Sequence, residues 1–341
     1  MENSHKIALI ISLSISFGIF IVVAFICVCR TKGSRKDESW DKEASFKTKG
    51  KGVEEMEING ELIWFNGGED VTIVDILDAP GEVIGKSGYG TLYKANLERI
   101  DLVVCLRFLR PTCTQKVQDL MHIVHIIGST RHPNLVPLYG FYYGPRDEKL
   151  LVHPFYEEGN LSQFIKDQKD ECRKWTVISR ISMGIARGLD YLHTGLQKPL
   201  IHGNLKSKNI FLAQNKEPLL SDFGLHAFLN LNAAQEMLET ASVEGYKAPE
   251  LIKIQDMSKA TDIYSFGMIL LELLTCKEPV NANPDQDLYH HNILFDENDG
   301  DGSLKDEERA MRFFRLAIAC CSPSPSLRLD IKQICQKLEE I

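Results

Sequence analysis

Apolar and polar positions along this chain fall into three regimes. Ile7 to Val28 is a run without a charged residue, about 22 positions long and so able to cross a bilayer core of roughly 30 Å as a helix. Residues 30–60 are lysine-rich, alternate in charge and hold few large apolar groups, a composition that builds no core. Patterned sequence begins near Glu61-Leu62-Ile63-Trp64-Phe65 and continues to the end. Residues 70 to about 152 read as short β runs with one helical segment, Gln115 to Ser129. Past Gly159 the helical period takes over, at Leu161–Gln168, Val177–His193, Ile263–Thr275, Arg309–Cys320 and Asp330–Ile341. A small β-rich half (61–153) before a larger helical half (154–341) predicts a two-lobed α+β domain, and no internal repeat appears.

The flanks of the first run set its orientation. His5 and Lys6 precede it, whereas Arg30, Lys32, Arg35 and Lys36 follow it, which places everything after residue 30 on the cytoplasmic side. Ser12, Ser14 and Ser16 can bond back to helix carbonyls and do not exclude a span. A cleaved leader fits less well, because the run is too long and basic residues follow it. The reading is a single-pass plasma-membrane anchor at 7–29, residues 1–6 outside, and a linker at 30–60 drawn to anionic lipid. It leaves no ectodomain, so any signal must arrive through a partner. Cys27 and Cys29 end the span, as palmitoylation sites or merely as its last apolar residues.

With 44% apolar and 25% charged residues in 341, the chain can build a full core. A net charge of −8 excludes a nucleic-acid binder, which needs a basic face. The nine cysteines show no paired metal spacing and suit a reducing compartment.

The candidate chemistry lies in an ordered series. Ile84-Gly85-Lys86-Ser87-Gly88-Tyr89-Gly90-Thr91 reads as a glycine-turn hairpin. Arg131-His132-Pro133-Asn134, His202-Gly203-Asn204-Leu205-Lys206-Ser207-Lys208-Asn209, Ser221-Asp222-Phe223-Gly224, Ala248-Pro249-Glu250, Asp262-Ile263-Tyr264-Ser265-Phe266-Gly267 and Arg328 follow in turn. Over residues 62–341 this series resembles the protein kinases, and most closely the cytoplasmic domain of plant leucine-rich-repeat receptor-like kinases. Gly60-Glu61-Leu62-Ile63-Trp64-Phe65 and Ile76 to Gly85 carry the closer likeness, to a transmembrane kinase-like branch regarded as catalytically deficient.

That resemblance implies a bilobal kinase fold, a nucleotide loop at Gly85, Gly88 and Gly90, a hinge at Tyr156 and a gatekeeper at His153. It implies magnesium ligands at Asn209 and Asp222, with ATP as their companion, and a phosphate-neutralising Lys206. It also exposes four departures. Asn204 stands where the family has the Asp that takes the substrate hydroxyl proton, and an amide cannot do so. Arg107 stands at the strand Lys position, where its larger fork is no simple substitute. Ile123 stands at the helix Glu that should pair with it, with Asp119 one turn earlier as a poor stand-in. Gly203 replaces the Arg that would read activation-segment phosphorylation. Glu250 and Arg328 match an ion pair that braces the helical lobe, and Asp262 an anchor of the catalytic-loop backbone.

Other motifs weigh less. Residues 297–308 resemble an EF-hand loop, but Glu297 opens it, Lys305 sits at the ninth position and no second loop pairs with it; a solvated acidic insert is the plainer reading, and calcium is not expected. His122 and His125 are expected to be ordinary helix histidines. Thr240 and Ser242 are read as loop hydroxyls open to phosphorylation. The expectation is a membrane-tethered pseudokinase that acts by binding active receptor-like kinases or cytoplasmic clients. Its rivals are a weak Ser/Thr kinase using Asn204 to orient the hydroxyl, and a calcium-responsive adaptor.

Overall fold

The computed structural model describes residues 60–279 and 304–341. The anchor at 7–29, the linker up to residue 59, Cys27 and Cys29 lie outside them. So does the EF-hand-like loop up to residue 303, beyond which the chain is helical. Among the described residues no helix is long and apolar enough to cross a membrane.

The N-lobe is one antiparallel six-stranded sheet in the order β1-β5-β6-β4-β3-β2. Its strands are β1 (Glu61–Trp64), β2 (Gly81–Ser87), β3 (Gly90–Leu97), β4 (Leu102–Leu109), β5 (Gly140–Tyr143) and β6 (Lys149–Pro154). The central strand β4 is almost wholly apolar, as a strand covered on both faces should be; Val104, Leu106 and Leu109 are buried. Arg107 lies on it between Leu92 of β3 and Leu151 of β6. A short helix α1 (Ile73–Asp78) crosses before β2, closed by a capping box between Thr72 and Asp75. Helix α2 (Val117–Ser129) packs under the sheet through Leu120, Val124 and Ile127, spaced four and three apart on one face.

The C-lobe follows as α3 (Leu161–Asp167), α4 (Lys169–Cys172), α5 (Trp175–Asp190), a hairpin of β7 (Ile210–Leu212) and β8 (Pro218–Leu220), α6 (Leu231–Val243), α7 (Lys259–Thr275), α8 (Leu304–Cys320) and α9 (Ile331–Glu340). Its core surrounds α7, which starts at a Ser258–Thr261 capping box and buries a residue at nearly every position from Thr261 to Leu274. Phe266 of α7 and Phe313 of α8 are fully buried, each contributing about 1.5–3 kcal/mol by removal from water. The hairpin β7–β8 carries the catalytic loop into one end and Asp222 out of the other, which brings the two motifs together.

Two elements depart from expectation. Helix α1 is absent from the sequence reading because its outward residues Val74 and Leu77 are apolar and exposed, which hides any amphipathic period. Helix α6 occupies the segment read as a loop, so Thr240 and Ser242 sit on the last turn of a helix, exposed. The Thr240 hydroxyl donates to the Glu236 carbonyl, 3.0 Å away.

Candidate nucleotide cleft and catalytic loop

The catalytic loop is held by a buried carboxylate. Asp262 accepts from the backbone amides of His202 (2.8 Å) and Gly203 (2.9 Å), and lies 2.9 Å from His193 Nε2. Burial alone would raise its pKa, but its bonds and the neighbouring histidines outweigh that and hold it below the ordinary carboxylate value. The loop bends at Gly203, where φ is +76° and a Cβ would strike His226 Nδ1. An Arg side chain has no room there while that ring is in place. Burial lowers the pKa of His226 and brings that of His202 to about 4.

Asn204 is buried, and its Oδ1 accepts no protein hydrogen bond. Its carbonyl accepts from Asn209 Nδ2 at 2.8 Å, so the two ends of the loop brace each other. Asn209 in turn receives the Ser221 amide and hydroxyl on its carbonyl, at 2.9 and 3.0 Å. The Lys206 ammonium is 2.7 Å from Glu244, which also takes Lys208 at 2.9 Å. Burial raises the Glu244 pKa, yet the two lysines bring it below the ordinary value.

Across the cleft, Arg107 Nη2 donates to both oxygens of Asp222, at 2.7 and 2.9 Å. Asp222 adopts a left-handed conformation (φ +62°) that turns its side chain toward the N-lobe. Ile123 packs against the hydrophobic core. Asp119 is exposed, and the guanidinium it was to pair is held by Asp222, so it is no stand-in. Phe223 is buried edge-on to His202, with centroids 6.5 Å apart. Behind these groups a cavity of about 20 Å³, lined by Ile127, Leu138, Leu151, His153, Asp222 and Phe223, has room for about one water. His153 Nδ1 is 2.9 Å from the Pro137 carbonyl, and burial lowers its pKa to about 4.

The glycine loop is engaged by the protein itself. The Gly88 carbonyl accepts from Arg110 Nη1 at 2.6 Å, and a Cβ on Gly88 would fall on the Glu236 carboxylate of α6. Gly90 is required for another reason: a Cβ would stand 2.3 Å from the Phe108 carbonyl of the paired strand. Gly85 is merely in contact with Leu92. Tyr156 stacks on Phe211 of β7 with centroids 5.9 Å apart, tying the hinge to the C-lobe.

Helix α6 stays there because the chain before it is stitched to the N-lobe. The Gln115 amide donates to the Phe228 carbonyl, and its side chain to the Ala227 and Leu229 carbonyls. Asn230 donates from its amide to Cys113 and from its side chain to Thr112. Sequence reasoning missed Glu236 and Glu244, since neither belongs to a motif; only the Asn230 cap and the helix-forming run from Ala233 to Leu238 signalled the element that carries them.

Residues 79–338 match the family described as protein tyrosine and serine/threonine kinase. The chain belongs to this family. Among curated relatives from Arabidopsis thaliana it is 34% identical to the kinase-like protein TMKL1, over 94% of this chain and 50% of that protein. It is also 34% identical to a relative named probable inactive receptor kinase RLK902, over 85% of this chain and 47% of that one. The chain thus spans about half the length of these two relatives. Among solved structures, the maize SIRK1 kinase domain bound to AMP-PNP superimposes with a TM-score of 0.66 at 29% identity, covering 82% of this chain and 99% of that one. The pseudokinase domain of BIR2, an immune regulator, does so at 0.63 and 29%, covering 76% and 80%.

Magnesium and ATP are the ligands this kinase fold implies, and the metal can be tested against the groups present. Both Asp222 oxygens carry hydrogen bonds from Arg107, while Asn209 donates through Nδ2 to the Asn204 carbonyl and keeps its Oδ1 for a ligand. It is Asp222, covered by Arg107, that does not fit a divalent ion as arranged. The bracing groups are complete: Arg328 forks onto Glu250 at 2.5 and 2.7 Å and also reaches the Ala260 and Ser322 carbonyls.

Proposed function

We propose that this protein is a membrane-anchored receptor-like pseudokinase, a signalling scaffold or allosteric partner of active kinases with little or no phosphotransfer. The observation that carries the reading is the pair of locked cations. The charge that should order phosphates, Arg107, is bound to Asp222, and the charge that should neutralise the transferred group, Lys206, is bound to Glu244. Phosphoryl transfer depends mainly on positioning and electrostatics, and proton acceptance by a general base adds about 10²–10⁴ in rate. At Asn204 that acceptor is an amide. The names of RLK902, an inactive receptor kinase, and of the BIR2 pseudokinase support the reading. Partners follow by the same logic: a kinase fold that does not turn over acts through its surface, on active receptor-like kinases or their cytoplasmic clients.

The test is radiolabel transfer from ATP, with magnesium and with manganese, to the protein itself and to a generic substrate. The expected result is incorporation at the level of a heat-treated control. Incorporation that Asp222→Ala abolishes overturns the proposal in favour of a weak Ser/Thr kinase.

A further inference from the structure

We propose that Arg107 takes the place of a divalent metal at Asp222, so that this cleft loads neither Mg²⁺ nor Mn²⁺ in the absence of nucleotide. The inference deepens the pseudokinase reading at the same site and rests on it, but it concerns metal occupancy rather than turnover.

Four observations carry it. One guanidinium nitrogen spans both Asp222 oxygens at 2.7 and 2.9 Å, covering the carboxylate face a cation would use. The pair is sheltered, with Arg107 14% and Asp222 8% exposed at the side chain. Among the described residues no second carboxylate pairs with Arg107. Ile123 at the helix position is apolar and packed into the core, Asp119 faces solvent, and Glu244 is held by two lysines. Finally, Arg107 Nε is buried without a hydrogen-bond partner, so no acceptor on that side holds the guanidinium if Asp222 is taken.

The energetic consequence follows from charge burial. A metal at Asp222 must displace the guanidinium, which cannot shed its proton and would be left charged and unpaired in a low-dielectric site. A lysine in the same place is a point charge on a flexible stem that can swing aside; arginine, clamped on the central strand between Leu92 and Leu151, is a wider group with less freedom. Leaving one partner of such a pair uncompensated should weaken metal binding by about two to three orders of magnitude.

The experiment counts bound Mn²⁺ by electron paramagnetic resonance on the full chain in detergent, without nucleotide. Asp222→Asn is the reference that subtracts any ion held elsewhere, including on the acidic segment 297–308. Wild type is expected to bind the same number of ions as Asp222→Asn at about 1 mM free metal. Arg107→Lys, the residue type the kinase family uses there, is expected to gain one ion with an affinity at least about a hundredfold above wild type. One more ion in wild type than in Asp222→Asn overturns the proposal, as does a folded Arg107→Lys that gains none. If Asp222→Asn does not fold, the Arg107→Lys comparison with wild type decides alone. Phosphotransfer is read separately, so a metal-loading but inactive protein would refute this inference and leave the pseudokinase reading standing.

Discussion

Residue identity at three positions, Asn204, Arg107 and Ile123, separates this cleft from the pattern of a catalytic kinase, but the identities act through their partners. Restoring the proton acceptor alone should accomplish little. Asn204→Asp is expected to raise label incorporation by less than about tenfold, well short of the usual contribution of a general base, because Arg107 and Lys206 remain tied to carboxylates. A gain of a hundredfold in the same filter assay would mean the missing base was the sole defect. Glu272 gives a second residue-scale test. It is buried, and Tyr246 and Ser207 donate to it at 2.5 and 3.0 Å. Burial pushes its pKa up from 4.5 to about 7. Between those values the folded protein holds a proton that the unfolded chain has released. The stability this group contributes is therefore complete below about 4.5 and is lost as pH rises through about 7. Urea melts at pH 5 and pH 7.5 should show Glu272→Gln removing up to about 3 kcal/mol of the difference between them; an unchanged difference would contradict the assignment.

At the scale of elements, α6 is the one that changes the picture. Its apolar face, Ala233, Ala234, Met237 and Leu238, is buried, and its cap Asn230 also joins the N-lobe through Thr112. The kinase resemblance argued for a loop here, whereas the residues themselves are good helix formers behind an Asn cap. Local propensity was legible, and the template overrode it. Asn230→Ala removes both the cap and the strut, and should cost about 1–2 kcal/mol. The loss should be local. Amide hydrogen exchange is expected to quicken across residues 231–243 while α7 keeps its protection; loss of protection in both would show that α6 and the C-lobe open as one unit. The helices α5, α8 and α9 were legible because each buries one face at the helical period, and α7 because its apolar run is long and nearly unbroken, signals carried within the element itself.

For the whole molecule, the proposed anchor sets where the scaffold works. Full-length protein is expected to sediment with membranes and resist an alkaline carbonate wash, while removal of residues 1–29 releases it to the supernatant. Release of the intact protein by carbonate would leave only peripheral association. The sequence by itself determined the two lobes, the order of the kinase motifs and the chemical nature of the groups at each site position. Periodicity and side-chain type are properties of neighbouring residues, so both are readable without a fold. Tertiary structure alone decided which acid each cation would meet. Arg107 finds Asp222 across 115 positions of chain, and Lys206 finds Glu244 across 38. No local rule selects among the many carboxylates available. That choice depends on a sheet that sets Arg107 over the cleft and on a helix docked against the glycine loop, and both arise only when the core closes.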